Sequence, residues 1–200
     1  MQVPDGDILV HAGDLTNFFQ PLTKSMEMLK DVNDWLGEMP HRHKIVIAGN
    51  HDMVFQEEPK KAKTLLTNAH YLENSGIELE GIRFWGSPVT PVQEMAFSLP
   101  KTISSREIWK HVPEDINVLV THGPPYGIRD QNSVDGYHHG CSNLLQTLMR
   151  IQPQIHIFGH IHNGYGRESN RNGNWFLNCS AVNAKRELAN PPVVIDLQRP

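Results

Sequence analysis

The chain has 200 residues, a formal net charge of −4 and a pI near 6.3, so residues 1–200 fit a single domain that can bury about 70% of its unfolded surface. An acidic balance without any Lys/Arg block argues against duplex nucleic acid or an anionic membrane as partner, yet leaves small phosphate compounds open, since a bound metal can supply positive charge. Two cysteines, Cys141 and Cys179, are too few for a disulfide framework or a cysteine-type zinc site, and reduced thiols with a cytoplasmic address are expected.

The start, Met1-Gln2-Val3-Pro4-Asp5-Gly6-Asp7, has neither the basic nor the apolar region of a signal peptide. No later stretch approaches the roughly 20 apolar residues of a membrane span. Ile8-Leu9-Val10 reads as a strand running into His11-Ala12-Gly13-Asp14. From Leu22 to Leu36, helical spacing puts Leu22, Met26, Leu29 and Leu36 on one face, with Gly37 as the stop. That helix returns the chain to a second buried strand, Ile45-Val46-Ile47, which ends in Ala48-Gly49-Asn50-His51-Asp52. The unit is a βαβ crossover. Pro59 opens another helix through about Ala69. Strands broken at Asn74-Ser75-Gly76 and Glu80-Gly81 precede Ile82-Arg83-Phe84-Trp85-Gly86 and read as hairpins.

Ser104-Ser105-Arg106-Glu107 predicts a capped helix that carries Ile108 and Trp109 and ends by Pro113. Val118-Leu119-Val120 then runs into Thr121-His122-Gly123-Pro124-Pro125, followed by a loop from Tyr126 to Gly140. Ser142 caps a helix with Leu144, Leu145, Leu148 and Met149, which must stop before Pro153. Ile155-His156-Ile157-Phe158 delivers Gly159-His160-Ile161-His162, and the tail adds strands at Trp175-Phe176-Leu177 and Val193-Val194-Ile195. The expectation is one α/β domain, with parallel strands early and hairpins from the middle onward.

Four apolar runs thus each end in a Gly-adjacent Asp, Asn or His. Ligands bind beyond the carboxyl ends of strands in open α/β sheets, so these ends predict one shared polar site. Asp14, Asn50, His51, Asp52, His122, His160 and His162 supply a carboxylate, an amide oxygen and imidazoles. This mixed O/N set suits Mn²⁺, Fe or Zn²⁺ better than Ca²⁺. Singly, each has an ordinary alternative: Asp14, Asn50 and Asp52 as turn formers, each histidine as a satisfied core group. Jointly, coincidence is a poor account. Among the 12 histidines, His11 and His156 fall inside strands and read as core. His41, His43, His70 and His111 read as solvated surface; His138 and His139, in the Gly-rich loop after His122, are candidates to touch substrate, with surface as the default. Arg129 and Arg167 are candidates for a phosphate contact, with plain exposure as the default. Trp85, Trp109 and Trp175 read as core.

In order, Gly13-Asp14, Gly49-Asn50-His51-Asp52, His122 and Gly159-His160-Ile161-His162 resemble four of the five signature blocks of calcineurin-like metallophosphoesterases. The strings HAGDLT, THGPP, GHIHNGYG and NPPVVIDL resemble the small metallophosphoesterase-domain (MPPED-type) subgroup, and the likeness runs from about Asp5 to Leu197. The resemblance implies a four-layer αββα sandwich of two mixed β-sheets. It implies two divalent metals, with Asp14 bridging them and Asn50, His122 and His160 completing the second site. His162 would ligate the first metal, and His51, oriented by Asp52, would give a proton to the leaving group. It further implies attack of a metal-activated hydroxide on small phosphodiesters, cyclic nucleotides among them.

One block is absent. The family's Asp-x-His at the end of a first strand lies a couple of dozen residues before Gly-Asp, and only twelve residues precede Gly13. Asp5-Gly6-Asp7 imitates the spacing but leads straight into the Ile8 strand, so it matches a turn rather than the ligand pair. The first strand is therefore expected to be missing, leaving an edge beside Ile8–Val10. Site one is expected to keep only Asp14 and His162, with site two whole. The alternative is a catalytically weak or inactive relative that binds metal or nucleotide; a nuclease acting on nucleic acid is disfavoured by the acidic balance.

Overall fold

The computed structural model of the chain describes residues 2–91, 94–99, 102–133 and 135–197, so Met1 lies outside them. The layering follows from side-chain alternation along strands. In β2 (His43–Ile47), Ile45 and Ile47 enter one core while Val46 and the following Ala48 enter another. β1 (Ile8–Ala12), β2 and β3 (His70–Tyr71) form a three-stranded sheet in that order, parallel throughout. Against its outer face lie α1 (Leu22–Glu38), α2 (Met53–Glu57) and α3 (Pro59–Leu65), through Leu29, Leu36, Val54, Phe55 and Ala62.

The second sheet contains β4 (Ser75–Leu79), β5 (Ile82–Ser87), β6 (Val118–Thr121), β7 (Ile155–Phe158), β8 (Gly166–Ser169) and β9 (Trp175–Asn178), in the order β4-β5-β6-β7-β9-β8. Its inward residues Phe84, Val118, Val120, Ile155, Ile157 and Leu177 meet Ile45 and Ile47. Its outward residues Leu119, Phe158 and Phe176 meet Trp109 of α4 (Ser105–Trp109) and Leu144, Leu148 and Ile151 of α5 (Ser142–Ile151). Each such side chain contributes about 1.5–3 kcal/mol when fully buried. The result is helix, sheet, sheet, helix, as the four-layer expectation requires.

Several details differ from the sequence reading. The hairpin read across Glu80-Gly81 is present as antiparallel β4–β5, but hairpins do not continue from there: β5, β6, β7 and β9 run parallel, and among the named strands only β8–β9 forms a second antiparallel pair. Helices α4 and α5 supply the crossovers that parallel neighbours need. The Pro59 helix ends at Leu65, not Ala69, and a short α2 precedes it. Cys141, not Ser142, caps α5, its Sγ accepting from Leu144 N at 3.4 Å. Met149 faces solvent. Val193–Ile195 is not a strand: this segment runs irregularly but still lays Val193, Ile195 and Leu197 on the inter-sheet core. His43 and His70 lie in strands, and His41 is buried rather than solvated. β1 stands at an edge of its sheet, as anticipated.

Candidate metal centre

All four strand-end motifs arrive at the same end of the sandwich: β1 and β2 are parallel in one sheet, β6 and β7 in the other, and the His122 ring after β6 reaches Ala12 O and Asn50 across the gap. β1 leads through Gly13, at φ 96°, into Asp14, at φ 60°. This left-handed pair turns the chain sharply, a conformation that suits Gly and is tolerated by Asp. His160 also sits at φ 66°. Such values in non-glycine residues cost energy and persist where surrounding structure enforces them. At Gly49 a Cβ would run into the Asp14 carboxylate and the His122 ring. Glycine is needed there to let strand end and ligand carboxylate approach.

His122 joins the two sheets. Its Nδ1 lies 2.7 Å from Ala12 O, so Nδ1 carries the proton and donates it. Its Nε2 then points a lone pair at two oxygens, Asn50 Oδ1 at 2.8 Å and Asp14 Oδ1 at 3.3 Å. Three acceptors facing one another repel unless a cation lies among them. A proton on Nε2 is one solution: burial pulls the His122 pKa down, but the charge and hydrogen bond of Asp14, with the Ala12 carbonyl and Asp52, together carry the net shift upward. A divalent metal is the other. Metal ligands at 2.0–2.2 Å in octahedral array lie about 3 Å from their neighbours, which matches both separations. An imidazole whose other nitrogen donates to a carbonyl is the usual arrangement of a ligating histidine. The donor set therefore fits a cation.

The charges agree. Burial pushes the Asp14 carboxyl up, yet the charge and hydrogen bond of His122, with help from His51, hold it well below the ordinary carboxylate range. His160 packs its ring 5.1 Å from that of His122, and burial with the neighbouring histidine lowers its pKa to about 3, leaving one ring nitrogen with a free lone pair. His162 opens a short 3₁₀ turn, His162–Gly164, and is lowered by burial against the attraction of Asp14 and a hydrogen bond to the Asn183 backbone. Asp14, Asn50 and His122 are thus in direct contact, His160 touches His122, and His162 and His51 feel Asp14 electrostatically. Among the described residues no three His, Cys, Asp or Glu side chains enclose a cation by themselves; the amide of Asn50 completes the tight set.

Asp52 has a different task from the one the resemblance implied. Its carboxylate accepts from Gly49 N at 2.7 Å, Leu15 N at 3.1 Å, Thr16 N at 2.7 Å and Thr16 Oγ1 at 2.9 Å. These bonds clamp the loop after β1 to the loop after β2. Burial and the charge of Asp14 push its pKa up to about 6 against those donors. The His51 ring is not among its partners; Asp52 sets the backbone that carries His51, whose N–H donates to Asp14 Oδ1 at 2.9 Å.

Arg129 and Arg167 are engaged elsewhere. Arg129 donates to Tyr165 O at 3.2 Å and Arg167 O at 2.6 Å, pinning the loop after His122 to the loop bearing His162. Arg167 lies over the Trp175 ring, 5.5 Å from its centroid. Sequence reasoning missed Thr16, as well as Phe18 and Phe19, whose rings each lie 6.4 Å from that of His51. The available signal was an adjacent aromatic pair in a turn segment, between Asn17 and Pro21, where no core face can form.

A helix–sheet–sheet–helix sandwich with its donor set at the strand ends is the architecture expected of the metallophosphoesterase class. The calcineurin-like phosphoesterase model matches residues 2–164, and the chain belongs to that family. It is 37% identical to human metallophosphoesterase domain-containing protein 1 over all of this chain and 67% of the relative. It is also 37% identical to a UPF0046 protein of Caenorhabditis elegans, over 96% of this chain and 68% of that one. A solved crystal structure superposes with a TM-score of 0.66 at 21% identity, covering 87% of this chain and 79% of the other, which speaks for the fold alone.

Proposed function

We propose that the chain is a metal-dependent phosphodiesterase for small phosphodiesters, cyclic nucleotides among them. The observation that carries this reading is the His122 arrangement: one nitrogen donating to Ala12 O, the other converging with Asp14 Oδ1 and Asn50 Oδ1. When bound, Mn, Fe or Zn ions would neutralise phosphoryl oxygens and acidify water for attack on phosphorus. Asp14, Asn50, His122 and His160 would hold one metal, and Asp14 with His162 would contribute to a second. His51, half-buried at the mouth with its backbone fixed by Asp14, would give its ring proton to the departing oxygen as the P–O bond breaks. No helix among the described residues is long and apolar enough to cross a membrane. A cytoplasmic protein with a small phosphate-ester substrate, and without nucleic-acid or membrane partners, is the consistent reading of the free thiols and acidic charge.

Metal content and turnover test it together. Protein loaded with Mn²⁺ should retain metal after desalting and cleave an alkyl phosphodiester, and His51→Ala should retain the metal while losing most of the turnover. Full activity in His51→Ala would remove that residue from the role of acid. Bound metal at one or none per chain, with no turnover, would instead favour a catalytically silent binding protein.

A further inference from the structure

We infer that Phe18 and Phe19 form an aromatic platform that selects phosphodiesters whose leaving group carries a flat ring. This rests on the phosphodiesterase reading above and names the substrate class of that site. Phe19 is 72% exposed, among the most exposed of the large apolar side chains. Exposure alone does not set Phe19 apart, since Tyr137 and Met149 are as exposed; its place does, against a second phenyl ring and beside His51. The two rings meet edge to face with centroids 5.5 Å apart. Each also lies 6.4 Å from the His51 ring, at interplanar angles of 83° and 75°. They therefore stand beside the group assigned to protonate the leaving oxygen, and flank whatever that oxygen belongs to.

The platform is held, not dangling. Asn17 Oδ1 accepts from Phe19 N at 3.0 Å, and Asn17 O accepts from Gln20 N at 3.1 Å, closing a turn over the pair. Immediately before it, Leu15 and Thr16 are fastened to Asp52. The Asp52 clamp therefore fixes the distance between the aromatic pair and His51. Stacking on an aromatic ring tolerates many ring types, since each offers a π face. The platform discriminates a planar substituent from an alkyl one without choosing among bases or aryl groups.

The test compares phenylphosphonate with methylphosphonate, binding to Mn²⁺-loaded protein by calorimetry, alongside hydrolysis of bis(p-nitrophenyl) phosphate and of glycerophosphoethanolamine. One stacked ring is worth about tenfold in affinity. Wild type should prefer the phenyl ligand by about that factor, and Phe19→Ala should erase most of the preference while Phe19→Trp restores it. The kcat/KM ratio of aryl to alkyl diester should fall in parallel in Phe19→Ala. If wild type binds and cleaves but shows no phenyl preference, or Phe19→Ala weakens both ligands equally, the platform is wrong and the phosphodiesterase reading stands. If wild type binds neither ligand and cleaves neither diester, both fall.

Discussion

His156 makes the acid stability of this fold calculable. It lies wholly buried on β7 between the rings of Phe158 and Phe176. Thr121 Oγ1 donates to Gly123 O at 2.7 Å, so its contact with His156 Nε2 at 2.8 Å is one in which the imidazole donates. The remaining Nδ1 has no hydrogen-bond partner among the described residues. A second proton would have to sit there, charged and unpartnered, so burial lowers the pKa from 6.5 to about 3. A histidine depressed in the folded state leaves stability intact above 6.5 and removes it as pH falls toward 3, because the unfolded chain takes up the proton first. Between pH 7 and pH 5 this one group costs about 2 kcal/mol. The perturbation is His156→Gln, whose amide can still donate to Thr121 and does not titrate. Urea unfolding of both proteins at pH 7 and pH 5 gives two pH-dependent losses, and the wild type's should exceed the variant's by about 2 kcal/mol. Other buried histidines titrate equally in both proteins and drop out of the difference. Losses agreeing within about 0.5 kcal/mol would refute the assignment of a neutral, trapped imidazole.

Asp52→Asn turns an amide N–H₂ toward backbone donors that need an acceptor, and should cost about 3 kcal/mol by urea midpoint; a loss below about 1 kcal/mol would show that the clamp between the two loops is not stabilising. Gly49→Ala drives a Cβ against Asp14 and His122, so Mn²⁺ affinity measured by calorimetry should drop at least about tenfold, and unchanged affinity would place the cation elsewhere. Mn²⁺ at one hundred times its dissociation constant should stabilise the protein by about 2.7 kcal/mol, reversed by chelator; an unchanged unfolding midpoint would count against a metal centre.

How much of this could be read from the chain depended on range. β1, α1, β2, β6 and β7 were legible because an apolar run or stripe is a local pattern, and the motif at each strand end shares its position. Convergence was legible from the four Gly-adjacent polar residues at strand ends, whereas the parallel pairing of β6 and β7 was not, because pairing direction leaves no mark on either run. The Asp52 clamp was not, because its partners Leu15 and Thr16 lie on another strand's loop and carry no motif. The depressed pKa of His156 was equally hidden: a buried strand histidine is visible in Ile155-His156-Ile157-Phe158, but the missing partner at Nδ1 is not. Cys141 displaced Ser142 as the cap because backbone geometry, not hydroxyl preference, fixed where α5 began. Val193–Ile195 packs its apolar side chains as a strand would, and alternation alone cannot show that no neighbouring backbone pairs with it.

The same imidazole proposed to face a cation also staples the sandwich. His122 follows β6 of the larger sheet, and its Nδ1 proton goes to Ala12 O on the edge strand of the smaller one. Asp14 and Asn50 extend from that smaller sheet, His122 and His160 from the larger. Any cation gathered by this set pulls on both sheets at the open end, where among the described residues no strand of one sheet pairs with a strand of the other. Without a cation, Asp14 raises the pKa of His122, and a proton on Nε2 takes over part of the task. Folding and ligand binding therefore draw on one set of contacts. A substitution at His122 must loosen the seam between sheets as well as the site, whereas His51, which closes no bond between the sheets, is where chemistry can be separated from architecture.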